Sequence, residues 1–387
     1  MKIAFIISSI NSKSNGNGGH YFSLIETVKK LSISHEVIIY NIGNSPAVAL
    51  DNLEFKVLPI IYKKISIYKI YKDLLVSIKS ENPSIIHSFD SLAFFWARLV
   101  SSKLKIKNCL TKCGGGNQIY YPLCDNFILY SQENIDYYRS KRKFKNSNLY
   151  LIPNRISKFS NDEERIKLLA SHLNKEHLNF FKFLRISRIG NYFLKSALQT
   201  IDLVKDLNEA GAKCVFIYIG SIEDQILFNQ LKENNSFSFV YFFTEEVFTN
   251  NSKELINFSD AVLGTGRSYM EACSKAKVML AYNPEGKYPF LINDENFDKA
   301  FKYNFSERIK ADNNKDDLQL FLNVIEDESL RNKLKDFSLK SYSKFFDSTR
   351  IEPLHNEIYL NINNNVKYNI LDIMFNGLFV LKSYLKI

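Results

Sequence analysis

The sequence predicts an α/β protein built from two Rossmann-like, doubly wound domains. Short apolar runs alternate with longer segments of helical period, the pattern of βαβ units in parallel sheets. The alternation stops at "LYLIPNR" and restarts at "FFKFLRIS", which divides the chain in two. At 387 residues the chain is too long for one small core and suits two domains.

The first domain, residues 1–155, opens with "KIAFIIS", a helical stretch from about His20 to Leu31, and "HEVIIYNI". "SIIHSF", a helix through "LAFFWARLV", "NCLT", and "NFILYS" with a helix after it follow. A Pro-Asn turn in "LYLIPNR" leads into the second domain, residues 156–345. There the expected elements are "FFKFLRIS", a helix from about Lys195 to Ala210, "CVFIYIG", "FVYFF", "AVLG" and "VMLA". Residues 346–387 read as C-terminal helices crossing back, with "NINNNV" a short linker before the last of them.

Hydrophobic content of 45% and charged content of 24% describe a soluble globular protein. An excess of 51 Lys+Arg over 41 Asp+Glu gives +10, which favours an anionic partner. No recognised nucleic-acid motif accompanies that charge, so a phosphorylated substrate or an anionic lipid surface is favoured over nucleic acid. The five cysteines (Cys109, Cys113, Cys124, Cys214, Cys273) form no C-x-x-C pair. They read as reduced thiols of a cytoplasmic protein, not as a zinc site or disulfide framework. "MKIAFIISSINS" reads as a first strand rather than a signal peptide, and no segment approaches the roughly 20 apolar residues of a membrane span.

Ligands of doubly wound sheets bind at the carboxyl ends of strands, which singles out the loops "NGNGGH", "HSFD", "RIGNYFLK" and "GTGRS". The first invites a dinucleotide reading that fails. Gly16 and Gly18 fit the fingerprint, but Tyr21 takes the third glycine position. Tyr40 and Asn41 stand where an acidic ribose ligand is expected. A flexible loop whose backbone N–H groups face a cleft is the reading left.

In "GTGRSYMEACSKAK" a capping box accounts for Ser268 and Glu271, with Ser268 as helix cap. It does not account for Gly264, Gly266 and Arg267. Glycines let the backbone approach a ligand at a helix N-terminus, where N–H groups and the macrodipole favour an anion. Arg267 adds a charge-assisted contact to a phosphate oxygen. Glu271, one turn further on, suits the paired hydroxyls of a ribose, and phosphate plus ribose means a nucleotide. Arg188 and Lys195 supply two cations that are either a solvated edge or a clamp on a diphosphate.

Taken in order, "MKIAFIISSINS…GGH", "YLIPNRI", "LRISRIG…K" and "GTGRSYMEA" resemble the retaining glycosyltransferases of family 4. Their fold is GT-B, two Rossmann-like domains facing a central cleft. "TKCGGGNQIYYP…NFILYSQEN" is similar to the subgroup that builds capsule and O-antigen polysaccharides. The resemblance implies transfer of a sugar, with retention, from a nucleoside diphosphate sugar (by default a UDP-sugar) to a hydroxyl. It implies no cofactor and no metal. Arg188 and Lys195 would meet the donor diphosphate, at a spacing two residues wider than the commonest R-x4-K form. Glu271 matches the ribose-binding end of a Glu-x7-Glu motif whose first glutamate is replaced by Leu263. Contacts to the transferred sugar then fall to the backbone of residues 264–268. In the first domain Gly18 and Gly19 match the loop that approaches phosphate and acceptor, followed directly by His20, a further catalytic candidate. "HSFD" departs from His-x-His-Asp at Phe89, and either His87 or Asp90 touches the sugar or His87 is simply buried at a strand end.

Two other readings accompany this one. The missing first glutamate keeps open a non-catalytic, membrane-associated sugar-nucleotide-binding or scaffold protein, and nucleotide-sugar epimerases share the GT-B fold. Three segments bear on location. Residues 61–75 interleave Tyr and Lys with Ile and Leu at helical spacing, and residues 138–145 form a basic cluster. "YNILDIMFNGLFVLKSYLKI" is an apolar helix interrupted by Asp372, Asn376 and Lys382. Singly they fit two solvated helix faces and one core-packing helix. Together they favour a peripheral protein on the inner face of the cell membrane, suited to a polyprenyl-linked saccharide acceptor.

Overall fold

The apolar runs become strands covered on both faces, which is why they lack the polar alternation of a half-exposed sheet. The computed structural model describes residues 1–10, 18–62, 66–234, 236–310, 317–362 and 370–385. The chain divides into two units, Met1–Arg155 with Ser348–Ile387, and Ile156–Asp347.

The first unit contains β1 (Lys2–Ser9), α1 (Gly19–Leu31), β2 (Glu36–Gly43), β3 (Lys56–Ile61), α2 (Ile67–Glu81) and β4 (Ile85–Ser88). It continues with α3 (Ser91–Leu104), β5 (Lys107–Lys112), β6 (Asn126–Leu129), α4 (Gln132–Arg139) and β7 (Asn148–Leu151). Its strands form one parallel sheet in the order β3-β2-β1-β4-β5-β6-β7. Period-2 geometry sends Ala4 and Ile6 of β1 to a core shared with Trp96, and Ile3, Phe5 and Ile7 to one shared with Tyr21 and Leu24. The edge strand β3 is not anticipated by the sequence reading. It contains Pro59, which an edge position tolerates. The helical spacing read over residues 61–75 is correspondingly displaced, since Ile61 ends β3, α2 begins at Ile67, and residues 63–65 lie outside the described residues.

The second unit runs through α5 (Glu163–Ser171), β8 (Phe181–Ile186), α6 (Asn191–Glu209), β9 (Cys214–Ile219), α7 (Gln225–Asn234) and β10 (Val240–Phe243). After α8 (Glu246–Thr249) come β11 (Ala261–Leu263), α9 (Arg267–Ser274), β12 (Val278–Ala281) and β13 (Phe290–Leu291). Helices α10 (Phe297–Lys302), α11 (Leu318–Glu326) and α12 (Glu328–Ser341) complete it. The strand order is β10-β9-β8-β11-β12-β13, with only the edge strand β13 antiparallel.

Both sheets reverse their strand order once, between β1 and β4 and between β8 and β11. At such a switch point the following helices pack on opposite faces and leave a crevice at the carboxyl edge. All four loops singled out by the sequence follow these four strands.

The chain then returns to the first unit. Helix α13 (Ile351–Asn361) packs on α1 and adds Ile351, Ile358 and Tyr359 to the core of Ile3 and Phe5. Helix α14 (Ile370–Leu385) packs on α3, and a Cβ on Gly377 would come within 3.4 Å of the Phe95 ring. Its anchor is an ion pair between the fully buried Arg98 Nη1 and Asp372 Oδ2 at 2.5 Å. Arg98 Nη2 and Tyr120 Oη also donate to the Asp372 carbonyl, at 3.0 and 2.7 Å, and Lys143 pairs with the same carboxylate. Burial opposes the charge of Asp372, but Lys143 and Arg98 hold its carboxyl below the ordinary range. Removing one partner of a buried pair leaves an uncompensated charge. Asp372→Ala should therefore destabilise the first unit by about 3–5 kcal/mol in urea unfolding. A loss below about 1 kcal/mol, the range of exposed pairs, contradicts this anchoring role.

Candidate functional site

At the β8/β11 switch point, β8 ends at Ile186 and α6 starts at Asn191 behind an extended Gly190. A Cβ on Gly190 would lie 2.8 Å from Glu223 Oε2, so glycine lets that carboxylate pass. Glu223 in turn holds the exposed Arg188, Oε1 to Nη1, at 2.8 Å. Lys195 is exposed early in α6. Arg308 reaches the same helix start, donating from Nη1 to Tyr192 Oη at 3.1 Å.

One strand over, Leu263 ends β11 and a glycine-built turn leads into α9. A Cβ on Gly264 would sit 2.5 Å from the Tyr269 Cα, which fixes that glycine by backbone packing. Gly266 has φ +51°, a conformation costly to any residue with a Cβ. Ser268 is not the helix cap expected from the sequence. Gly266 occupies that position, and Ser268 Oγ bonds back to the Thr265 N–H and carbonyl, both at 3.1 Å. Glu271 consequently completes no capping box. It lies buried on α9 and accepts from Arg267 Nε at 2.8 Å. The guanidinium expected to serve a phosphate alone thus also orients the carboxylate expected to serve a ribose.

The backbone of residues 264–268 is a poorer donor set than anticipated. The N–H groups of Gly264, Thr265 and Gly266 bond to Leu280 O, Ser268 Oγ and Asn304 O at 3.2, 3.1 and 3.0 Å. The helical N–H groups in the first turn of α9 are those without an intrahelical acceptor.

A polar network behind these loops escaped sequence reading. Arg185, 1% exposed, donates from Nε to Ser187 Oγ at 3.1 Å and from Nη2 to Glu307 Oε1 at 3.2 Å. Ser196 on α6 donates to the same Glu307 oxygen, and Ser187 Oγ lies 3.0 Å from Tyr218 Oη. Burial raises the Glu307 carboxyl, a shift opposed by Arg185, Ser196 and Lys195. The network ties β8, β9 and the start of α6 to the segment after α10. Its only sequence signal is Arg185 among the apolar residues of "FKFLRIS", a stretch that also carries Lys182 near its start.

In the first unit, Gly18 caps α1 and an added Cβ on Gly19 would meet nothing within 4 Å. Gly16 lies outside the described residues. His20 stands in the first turn of α1 with its ring centroid 4.1 Å from that of Tyr21. Burial lowers its pKa and the nearby Asp90 opposes the shift. Asp90 caps α3, accepting from Ala93 N at 2.7 Å, and from Ser8 N and Oγ at 2.8 and 2.9 Å. It therefore ties β1 to the start of α3 across the switch point.

His87 is not placed to touch a ligand. It is fully buried in β4, with Nδ1 2.7 Å from Tyr359 Oη and Nε2 2.7 Å from Thr111 Oγ1. The buried strand-end histidine is the alternative that fits. Burial holds His87 well below the ordinary histidine pKa, and His355 beside it is pushed down to about 4. Above about pH 6.5 both residues are neutral in folded and unfolded chains alike, and stability is full. Below it the unfolded chain takes up protons that the folded chain refuses, so stability falls. His355 alone should remove about 3 kcal/mol by pH 4. Urea midpoints at pH 7 and pH 4.5 check this; equal midpoints contradict it.

No protein-family model matches the sequence, and no curated protein matches it at a significant level. The fold matches solved structures. Anabaena HepE in complex with UDP is 14% identical with a TM-score of 0.66, covering 94% of this chain and 100% of that one. A glycosyltransferase from Rickettsia africae is 16% identical over the same shares, with a TM-score of 0.65. A putative UDP-N-acetylglucosamine 2-epimerase from Listeria monocytogenes is 12% identical with a TM-score of 0.54, covering 96% of this chain and 100% of that one. At these identities the likeness is one of fold, and the fold is GT-B.

Proposed function

We propose that this chain is a retaining glycosyltransferase of the family-4 type. It moves a sugar from a nucleoside diphosphate sugar, with UDP as the default base, to a hydroxyl of a lipid-linked oligosaccharide. The product belongs to bacterial surface polysaccharide, of the capsule or O-antigen kind. The observation that carries this reading is the β8/β11 switch point. There a glycine-built helix start and the Arg267–Glu271 pair follow β11, and Arg188 and Lys195 follow the neighbouring strand β8. The UDP complex of the structurally similar HepE supports a nucleotide donor at such a fold.

In this reading the diphosphate meets the starts of α6 and α9, with Arg188, Lys195 and Arg267 neutralising it. Glu271 accepts from the ribose hydroxyls. His20, Gly18 and Gly19 of the first unit are assigned to the acceptor side of the reaction, with Asp90 held by Ser8 close to His20. During transfer the bond from the anomeric carbon to the diphosphate oxygen breaks while a bond to the acceptor oxygen forms on the same face. The acceptor proton passes to the leaving phosphate oxygen, so no side-chain nucleophile is required. Negative charge grows on the leaving diphosphate, where fixed cations and helix N-termini are most effective. They supply the neutralisation a metal would otherwise give. The polyprenyl-linked acceptor stays in the bilayer, and the enzyme works against its inner face.

Leu263, in place of the family's first glutamate, favours a second reading as a sugar-nucleotide-binding scaffold, and the epimerase likeness a third. Product analysis separates them. Acceptor-dependent release of nucleoside diphosphate marks a transferase, donor conversion without acceptor an epimerase, and binding without either a scaffold.

Glu271→Gln keeps the side-chain size but removes the charge that receives the ribose, and donor affinity should fall about tenfold to a hundredfold. Arg188→Ala should lower kcat by about a hundredfold with a smaller effect on KM, since its charge is met in the transition state. Unchanged affinity in the first variant, or unchanged turnover in the second, contradicts the assigned roles. Activity should survive a chelator; a strict divalent-metal requirement contradicts the proposed neutralisation.

A further inference from the structure

Helix α14 is inside out. Asp372, Asn376 and Val380 face the protein, while Ile370, Leu371, Met374, Phe375, Leu378 and Leu385 face away. Met374, Phe375 and Leu378 are 59%, 58% and 59% exposed, whereas Asn376 is fully buried. Two of the three residues that interrupt the apolar run in the sequence, Asp372 and Asn376, thus lie on its inward face, while Lys382 is exposed. The Asn376 side chain makes no hydrogen bond among the described residues, so this docking buries an unpaired amide and leaves the apolar face in water. Both are unfavourable, and the second is relieved only when that face is covered.

The surroundings indicate what covers it. Tyr120 packs on the exposed Phe375, ring centroids 5.9 Å apart, and next to it Ile119 is fully exposed. Lys143 stands 4.2 Å over the Tyr120 ring and pairs with Asp372, joining α14 to the segment 139–145. There Arg139, Lys141, Arg142 and Lys145 are all exposed. The one carboxylate of α14 is taken up by Arg98 and Lys143, so the helix brings no net negative charge to this surface. An apolar helix face bordered by clustered cations, with an aromatic at the seam, matches the layering of hydrocarbon, interface and phosphate in a bilayer leaflet. No described helix is long and apolar enough to cross a membrane.

We infer that α14 and the adjoining segment 139–145 form a docking surface for an anionic lipid bilayer, the helix lying in the headgroup plane with its apolar face toward the acyl chains. The inference deepens the transferase reading, on which it rests for the reason a membrane is needed. It also replaces a core-packing role for this helix with an outward one.

The test is co-sedimentation of the full chain with phosphatidylcholine vesicles, with and without phosphatidylglycerol, at low and high salt. UDP affinity and the unfolding midpoint are measured on the same samples. Wild type should partition onto the anionic vesicles and release at high salt. Met374→Glu with Leu378→Glu, and separately Lys141→Ala with Arg142→Ala and Lys145→Ala, should each reduce partitioning at least tenfold at an unchanged unfolding midpoint. Failure of wild type to bind anionic vesicles, or binding by both variants at wild-type levels, overturns the inference. So does a solution dimer that Met374→Glu with Leu378→Glu converts to monomer while vesicles are ignored, which assigns the face to a second copy. Vesicle binding without UDP binding contradicts the transferase reading and leaves the docking surface in place.

Discussion

A parallel sheet joined by right-handed crossovers has one place where it can hold a ligand without cutting into its core. Where the strand order reverses, the helices after two neighbouring strands leave toward opposite faces, and the loops before them line a crevice. This chain makes the reversal twice. At β8/β11 the constraint fixes which residues can act together, because Leu263 is directly opposite Arg185 in the register. The turns that follow those strands are neighbours whatever their side chains. Glycine at 264 and 266 then brings the start of α9 close to the sheet edge, and the Arg185–Glu307–Ser196 network braces the start of α6 beside it.

The loops were legible in the sequence because their signals are local. Apolar runs of strand length, a glycine pair and a cation at a strand end are all read within a few residues. What escaped depends on distant partners. Arg185 looks like a stray charge in a strand until Glu307 is brought to it from 122 residues away. His87 occupies a motif position, yet Tyr359 and Thr111 claim both of its ring nitrogens. Ser268 and Glu271 have capping-box spacing, but the helix is capped at Gly266, two residues before that register allows. Strand β3 was hidden by Pro59, because propensity carries no information about which strand lies at an edge.

Helix α14 shows the same limit in another form. Its sequence is apolar with polar interruptions, and periodicity gives the angle between the two sets without saying which faces the protein. A single buried carboxylate decides it. Arg98 sits fully buried on α3 and needs a counter-charge, Asp372 supplies one, and the rest of the helix is oriented by that pair. The apolar stripe is turned outward as a consequence, on the helix that Lys143 of the basic segment 139–145 joins through Asp372.

The central claim is that the β8/β11 edge of the second unit receives a nucleoside diphosphate. A crystal structure of the protein with UDP tests it most directly. The account predicts the phosphates at the starts of α6 and α9, within hydrogen-bond distance of Arg188 or Arg267, and the ribose hydroxyls on the Glu271 carboxylate. UDP bound at any other edge, or a saturated crystal with no nucleotide at α9, would contradict it.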